Sequence, residues 1–224
     1  MNFKWRHFQS DIILTCIRWY LAYPLSYRNI EEMMLERGIE VDHTTINRWV
    51  LKYTPEIEKK FRKHKAPVGT SWRLDETYIK VKGQWKYLYR AVDKQGLTID
   101  FMLSAKRDTK AAKKFFKKAI KNNGTPTTVN IDKSGANNAG IKEYNRGLLH
   151  KVKIRQCKYL NNIVESDHRK IKTITNPMKG FQSFKTARIV LAGIEVLSMI
   201  RKNQLNYMPL FVKNSVDAFY QLAS

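Results

Sequence analysis

Near residue 70 the apolar pattern of this chain changes period, and no other feature limits its fold as strongly. Upstream, apolar residues fall at helical intervals: Ile12, Ile13, Leu14, Ile17 and Leu21 run up to Pro24, and Ile30, Met33 and Met34 run up to Gly38. Asp11 and Ser26 stand where helix caps belong. A third helix starts at Asp42 or Thr44, with Ile46, Trp49 and Val50 turned inward. Downstream, Trp72 to Lys82, Trp85 to Asp93 and Leu97 to Ser104 are short β-type runs separated by Lys82-Gly83-Gln84 and Lys94-Gln95-Gly96, the pattern of a three-stranded meander. Asp108 caps a helix over Thr109 to Asn122 that ends at Gly124. There follow a strand, Thr127 to Asp132, a short helix from Ala136 to Tyr144, a strand from Lys151 to Gln156, and a long helical region from Asn161 broken near Pro177. The order βββαβαβα predicts an α/β fold, a mixed sheet with flanking helices, preceded by a small all-α domain.

The predicted division is a helical domain over 1–66, a linker over 67–71, an α/β domain over 72–182, and a C-terminal helix and tail over 183–224. In the first, two short helices are joined by a Gly-containing turn, and the second presents Thr45, Asn47, Arg48 and Lys52. That arrangement matches the helix-turn-helix pattern that sets a recognition helix in the DNA major groove. A small bundle with a solvated polar face shows the same pattern, so composition has to choose. The element order of the α/β domain is that of the ribonuclease H fold. The helix from Phe184 to Asn206 carries the stripe Ile189, Ala192, Val196, Met199 and Ile200, which fits a domain core and a dimer surface equally.

Charge favours the DNA-binding reading. The chain has 42 Lys and Arg against 19 Asp and Glu, a net of +23. Residues 1–70 hold 12 basic and 8 acidic residues, whereas 71–224 hold 30 and 11, so most of the excess lies on the α/β part. A polyanion is the implied partner, nucleic acid foremost. The lysines at 113, 114, 117, 118 and 121 form either a solvated helix side or a DNA track. Trp72, Trp85, Tyr87 and Tyr89 read as strand-packing aromatics rather than base-stacking platforms. The apolar stretches Ile12 to Tyr23 and Ile189 to Ile200 are interrupted by Arg18 and Glu195 and fall short of the roughly 20 residues a membrane span needs. Cys16 and Cys157 have no second thiol nearby, which excludes a zinc motif or disulfide framework. The expectation is a cytoplasmic, nucleoid-associated protein with no membrane part.

The basic part contains eleven carboxylates. Asp93 beside a turn, Asp100 within a strand, Asp108 at a cap, Glu143 and Glu195 on helices and Asp217 in the tail each have a structural explanation. Asp75, Glu76, Asp132, Glu165 and Asp167 remain. Asp75 interrupts a β-type run where its propensity is poor. Asp132 ends a strand at the carboxyl edge, where α/β sheets place their sites. Glu165 lies near a helix start. Adjacent first and fourth strands, with that helix across their edge, would bring Asp75, Asp132 and Glu165 together. Three converging carboxylates repel unless cations hold them, and hard oxygen ligands suit Mg²⁺ or Mn²⁺. A pair of such ions activates a water or hydroxyl and stabilises the leaving oxygen at a phosphodiester. Lys172 projects two turns beyond Glu165 on one helix face, flanked by His168 and Arg169, while Asp167 points to the other side.

Five blocks in order, LSYRNIEEMMLERGIEVDHTTINRWV (Leu25 to Val50), WRLDETYIKVKGQWKYLYRAVDKQGLTIDFMLS (Trp72 to Ser104), NIDKSGA (Asn130 to Ala136), RQCKYLNNIVESDHRKIK (Arg155 to Lys172) and GFQSFKTA (Gly180 to Ala187), resemble the DDE transposases of bacterial insertion sequences, and closely the family-six insertion-sequence group. The resemblance implies a ribonuclease H-like, retroviral-integrase-like catalytic domain. It implies Asp75, Asp132 and Glu165 as catalytic metal ligands, with Asp75 chosen over Glu76, and Lys172, beside Arg169, as a DNA contact at the element end. It implies two Mg²⁺ ions, with Mn²⁺ as a substitute, and double-stranded DNA, both terminal inverted repeats and target, as partner of a homo-oligomer that is at least a dimer on DNA. The implied reaction is 3′-end cleavage followed by strand transfer. An inactive DNA-binding regulator and a metal-dependent nuclease without joining activity are the alternatives. Only 32 residues separate Asp132 from Glu165, fewer than in many relatives, and the shortening falls around Tyr144 to Val152, as a trimmed loop would.

Overall fold

The computed structural model describes residues 7–132, 135–146, 151–157, 159–206 and 214–223. The chain divides into two compact units, Met1–Ala66 with Ile171–Ser224, and Pro67–Lys170.

The helical unit holds α1 (Ser10–Ala22), α2 (Tyr27–Leu35), α3 (His43–His64), the last turn of α6 (Asn162–Thr175), α7 (Phe184–Arg201) and α8 (Ser215–Ala223). Gln9, not Asp11, occupies the N-cap of α1, and Asp11 lies in its first turn, where a negative charge suits the helix dipole. Ser26 caps α2 in a reciprocal box with Asn29. Asp42 caps α3 through the Thr44 amide at 2.8 Å. Gly38, at φ +71°, supplies the left-handed residue that turns the chain from α2 toward α3. The predicted division set 183–224 apart, whereas α7 packs against α1 and α3 as the centre of this unit. Its positions from Val190 to Leu197 are buried without interruption, which a one-sided stripe would not produce. A Cβ on Gly193 would meet Leu21 Cδ1 at 2.6 Å and Thr54 Cγ2 at 2.7 Å, so only glycine lets the three helices approach this closely.

The α/β unit is built on a five-stranded sheet in the order β3-β2-β1-β4-β5. β1 (Ser71–Val81), β2 (Gln84–Asp93) and β3 (Thr98–Ser104) form the expected antiparallel meander. β4 (Thr128–Ile131) and β5 (Lys153–Gln156) then add in parallel. β5 is retained and pairs with β4 at four positions, so the short spacing before Glu165 did not remove this strand; residues 147–150 of that region lie outside those described. α4 (Thr109–Asn123) and α5 (Gly135–Asn145) contribute to the core that buries one face of the sheet, with Trp72, Leu74, Tyr89, Phe115, Phe116 and Ile141 at its centre. α6 follows a single 3-10 turn at Tyr159–Asn161. This mixed sheet with flanking helices has the ribonuclease H-like fold. No helix among the described residues is long and apolar enough to cross a membrane.

Candidate active site

The site starts from strand register. Leu74 of β1 pairs in parallel with Ile131 of β4, and both side chains join the core beneath α4 and α5. Asp75 therefore turns to the opposite face of β1, and Asp132 follows directly after the end of the neighbouring strand β4, about 4.8 Å away. Pairing of β1 with β4 stops there. The Asp75 side chain is 15% exposed, and His168 Nδ1 of α6 lies 3.8 Å from its Oδ2. Burial first, then the negative charges of Glu76, Asp132 and Glu165, push the Asp75 carboxyl up to about 7. Glu165, in the first turn of α6, is exposed. The structure thus brings the three carboxylates into one electrostatic neighbourhood.

Glu76 is engaged elsewhere. One residue along β1, it turns into the α4/α5 side, is 2% exposed, forms an ion pair with Arg107 and accepts a hydrogen bond from Asn137 Nδ2 at 2.8 Å. Arg107 also stands 4.0 Å from Asp132 Oδ2, which leaves it between the two acids. Asp167 is buried and accepts from Arg90 at 2.7 Å, an ion pair that pins α6 to β2. Asn130 Nδ2 donates to Asn161 Oδ1 at 2.6 Å and to the Cys157 carbonyl at 3.0 Å, tying the end of β4 to the turn from which α6 and Glu165 start. None of these partners was marked by its motif. An arginine within the apolar run of β2 was the available signal, since a buried cation requires a buried anion.

The other acids have the structural places expected of them. Asp93 accepts from the Gly69, Gln95 and Leu97 amides, Asp100 pairs with Lys118, Asp108 caps α4 through the Ala111 amide, and Glu143 pairs with Lys113. Two lysines of the α4 face are therefore engaged in pairs, while Lys114, Lys117 and Lys121 are exposed. Arg169 is exposed on α6, and Lys172 follows Glu165 by seven positions on the same helix.

On α3, Arg48 and Lys52 are exposed, and Arg48 donates to Thr45 Oγ1 at 2.8 Å. Asn47 differs: it is half-buried and lines a cavity of about 490 Å³ with Tyr20, Tyr27 and Phe181. Among the described residues, one group of three potential metal-ligand atoms lies within 4.8 Å of one another, Glu31, Asp42 and His43, and it belongs to the helical unit. His43 Nδ1 lies 3.1 Å from Glu31 Oε2 there, a half-buried pair.

Residues 69–204 match the family described as DDE domain. The transposase for insertion sequence-like element IS431mec of Staphylococcus aureus is 39% identical over 204 residues, 90% of each chain. The chain belongs to the DDE insertion-sequence transposases. The transposase for insertion sequence element IS257 in transposon Tn4003, also from Staphylococcus aureus, is 38% identical over the same share. Among solved structures, the HTLV-2 integrase catalytic core domain in complex with magnesium aligns over 71% of this transposase and 100% of that chain, at 19% identity and a TM-score of 0.48.

Proposed function

We propose that this transposase binds the terminal inverted repeats of its insertion sequence, and that Asp75, Asp132 and Glu165 carry 3′-end cleavage and strand transfer into target DNA. The observation that supports this assignment is the Leu74–Ile131 register, after which Asp75 and Asp132 follow on neighbouring chain segments, together with the charge that Asp132 and Glu165 exert on Asp75. The donor set fits Mg²⁺, with Mn²⁺ as a substitute: all three ligands offer carboxylate oxygen, and the Asp75 carboxyl is pushed up first by burial and then by negative charge, which a cation would offset. Asp75, Asp132 and Glu165 would together hold the ions. Bound there, the ions supply an activated water or 3′ hydroxyl and stabilise the departing oxygen of a phosphodiester.

The chain's own residues do the rest. Arg90–Asp167 and Asn130–Asn161 hold α6 in place and with it Glu165. Arg107 keeps Glu76 from competing for the same cations. Arg169 and Lys172 offer charge to backbone phosphates near the cut. Thr45, Arg48 and Lys52 face the inverted repeat, with Asn47 at the rim of its cavity. The α/β unit holds 23 basic and 9 acidic residues, a net of +14 over 67–170, suited to gripping an element end and a target together. Pairing two ends implies a homo-oligomer, at least a dimer on DNA, working in the cytoplasm at the nucleoid.

Incubating the full chain with Mg²⁺ and a duplex bearing the element's ends tests this reading. Cleaved ends and joined products are expected. Cleavage without joining assigns a nuclease, and no reaction with intact end binding assigns a regulator.

A further inference from the structure

The aromatics of the β1–β2 hairpin, alike in sequence, part company in the structure. Trp72 and Tyr89 are 1% and 0% exposed and pack on Phe116 and Phe115, as strand-packing residues should. Further along the same face, Tyr78 is 47% and Trp85 60% exposed. The pairs Glu76↔Tyr89, Tyr78↔Tyr87 and Lys80↔Trp85 put these residues in successive rows of one face; Tyr87 is half-buried and packs against the core, and Tyr78 and Trp85 are exposed beside it. The hairpin is stiff: Lys82 and Gly83, at φ +50° and +74°, form the two-residue turn whose twist matches its strands. Tyr78 meets Trp85 at 79° and Tyr87 at 55°, so these rings touch edge-on or tilted and are not stacked on one another.

We propose that Tyr78, Trp85 and Tyr87 form a stacking platform for unpaired DNA bases beside the scissile phosphate. The inference rests on the transposase mechanism above and adds a DNA contact to it. Charge favours DNA as the occupant over a second protein surface: residues 77–89 carry Lys80, Lys82 and Lys86 and no carboxylate. Arg107, ion-paired with Glu76 and 4.0 Å from Asp132, stands on the same side of β1 as Glu76 and Tyr78 and joins the basic hairpin to the catalytic acids. At about 3.4 Å per strand residue, Tyr78 lies roughly 10 Å and the Lys80–Trp85 row roughly 17 Å along β1 beyond Asp75, on the opposite face of the strand, and β1 pairs with β4 only as far as Leu74, so a DNA strand can pass over its open edge from one face to the other. With nucleotides about 3.4 Å apart along a strand, that span corresponds to the third to fifth nucleotide from the cut. A base gains its stacking surface there only if it leaves the duplex, so the platform favours strand opening next to the reacting phosphate.

The test compares full-length wild type with Tyr78→Ala, Trp85→Ala and Trp85→Phe, all checked for unchanged melting. The probes are duplexes of the element end, either fully paired or mismatched at nucleotides three to five from the cut, with 2-aminopurine in that window. Wild type is expected to bind the mismatched duplex about 10-fold more tightly and to quench the 2-aminopurine, Trp85→Ala to lose both, and Trp85→Phe to keep most of each. Equal preference for the mismatched duplex in wild type and both alanine variants overturns the platform while leaving the transposase reading intact. Failure of wild type to bind either duplex overturns both. A change of oligomeric state in Trp85→Ala, with mismatch preference unchanged, assigns the patch to a protein interface and overturns the proposal.

Discussion

Asp75→Asn is expected to make the metal-free protein more stable near pH 8, although it removes a catalytic group. In the folded chain the Asp75 carboxyl titrates at about 7, because burial and the charges of Glu76, Asp132 and Glu165 disfavour its ionised form. In the unfolded chain an aspartate titrates near about 3.9. The native state therefore holds the extra proton between those values, and stability is greatest below the unfolded value and falls as pH rises through the folded one. The gap corresponds to at most about 4 kcal/mol of lost stability once the group is fully ionised. Asparagine never ionises and escapes the loss. Urea unfolding followed by tryptophan fluorescence, in EDTA, should show wild type and variant alike near pH 4 and the variant more stable by up to about 4 kcal/mol at pH 8. Adding Mg²⁺ at pH 8 should stabilise wild type by mass action and leave the variant nearly unchanged. Equal stabilities at pH 8, or a variant less stable than wild type, would refute the claim that burial and neighbouring negative charge hold the Asp75 carboxyl up.

Three further outcomes follow from the same geometry. Asp167→Asn removes the carboxylate charge 2.7 Å from the buried Arg90 guanidinium and should cost about 3–5 kcal/mol in denaturant unfolding; a loss below about 1 kcal/mol, as for an exposed pair, would contradict the anchoring of α6. Arg48→Ala should weaken binding to the element end while sparing Mg²⁺-dependent chemistry on non-specific DNA; equal loss of both in gel-shift and cleavage assays would remove the division of labour between α3 and the sheet. Raising salt should weaken target capture with a log–log slope near the number of phosphates neutralised, and a flat response would argue against the basic α/β unit as the DNA grip.

Much of this architecture is readable from residue patterns. The period-2 runs of β1 to β3 and the turn residues between them mark the meander, and the alternation that sends Leu74 to the core sends Asp75 to the other face. What alternation cannot reveal is where cover ends. Tyr89 and Trp85 lie on one face, yet α4 and α5 bury the first and leave the second in solvent. Likewise an apolar stripe does not name the surface it meets, and only the helix-helix contacts assign α7 to the helical unit. Asp167 was visible as an acid out of step with Glu165 on its helix, but its partner Arg90 is 77 positions away and became apparent only through the fold.

The central claim concerns three acids acting as one site, and the most direct measurement is strand transfer from a pre-cut element end into plasmid DNA in Mg²⁺. Wild type should yield joined products, while Asp75→Asn, Asp132→Asn and Glu165→Gln should each abolish joining yet retain end binding. Full joining by any one of the three variants would contradict the account.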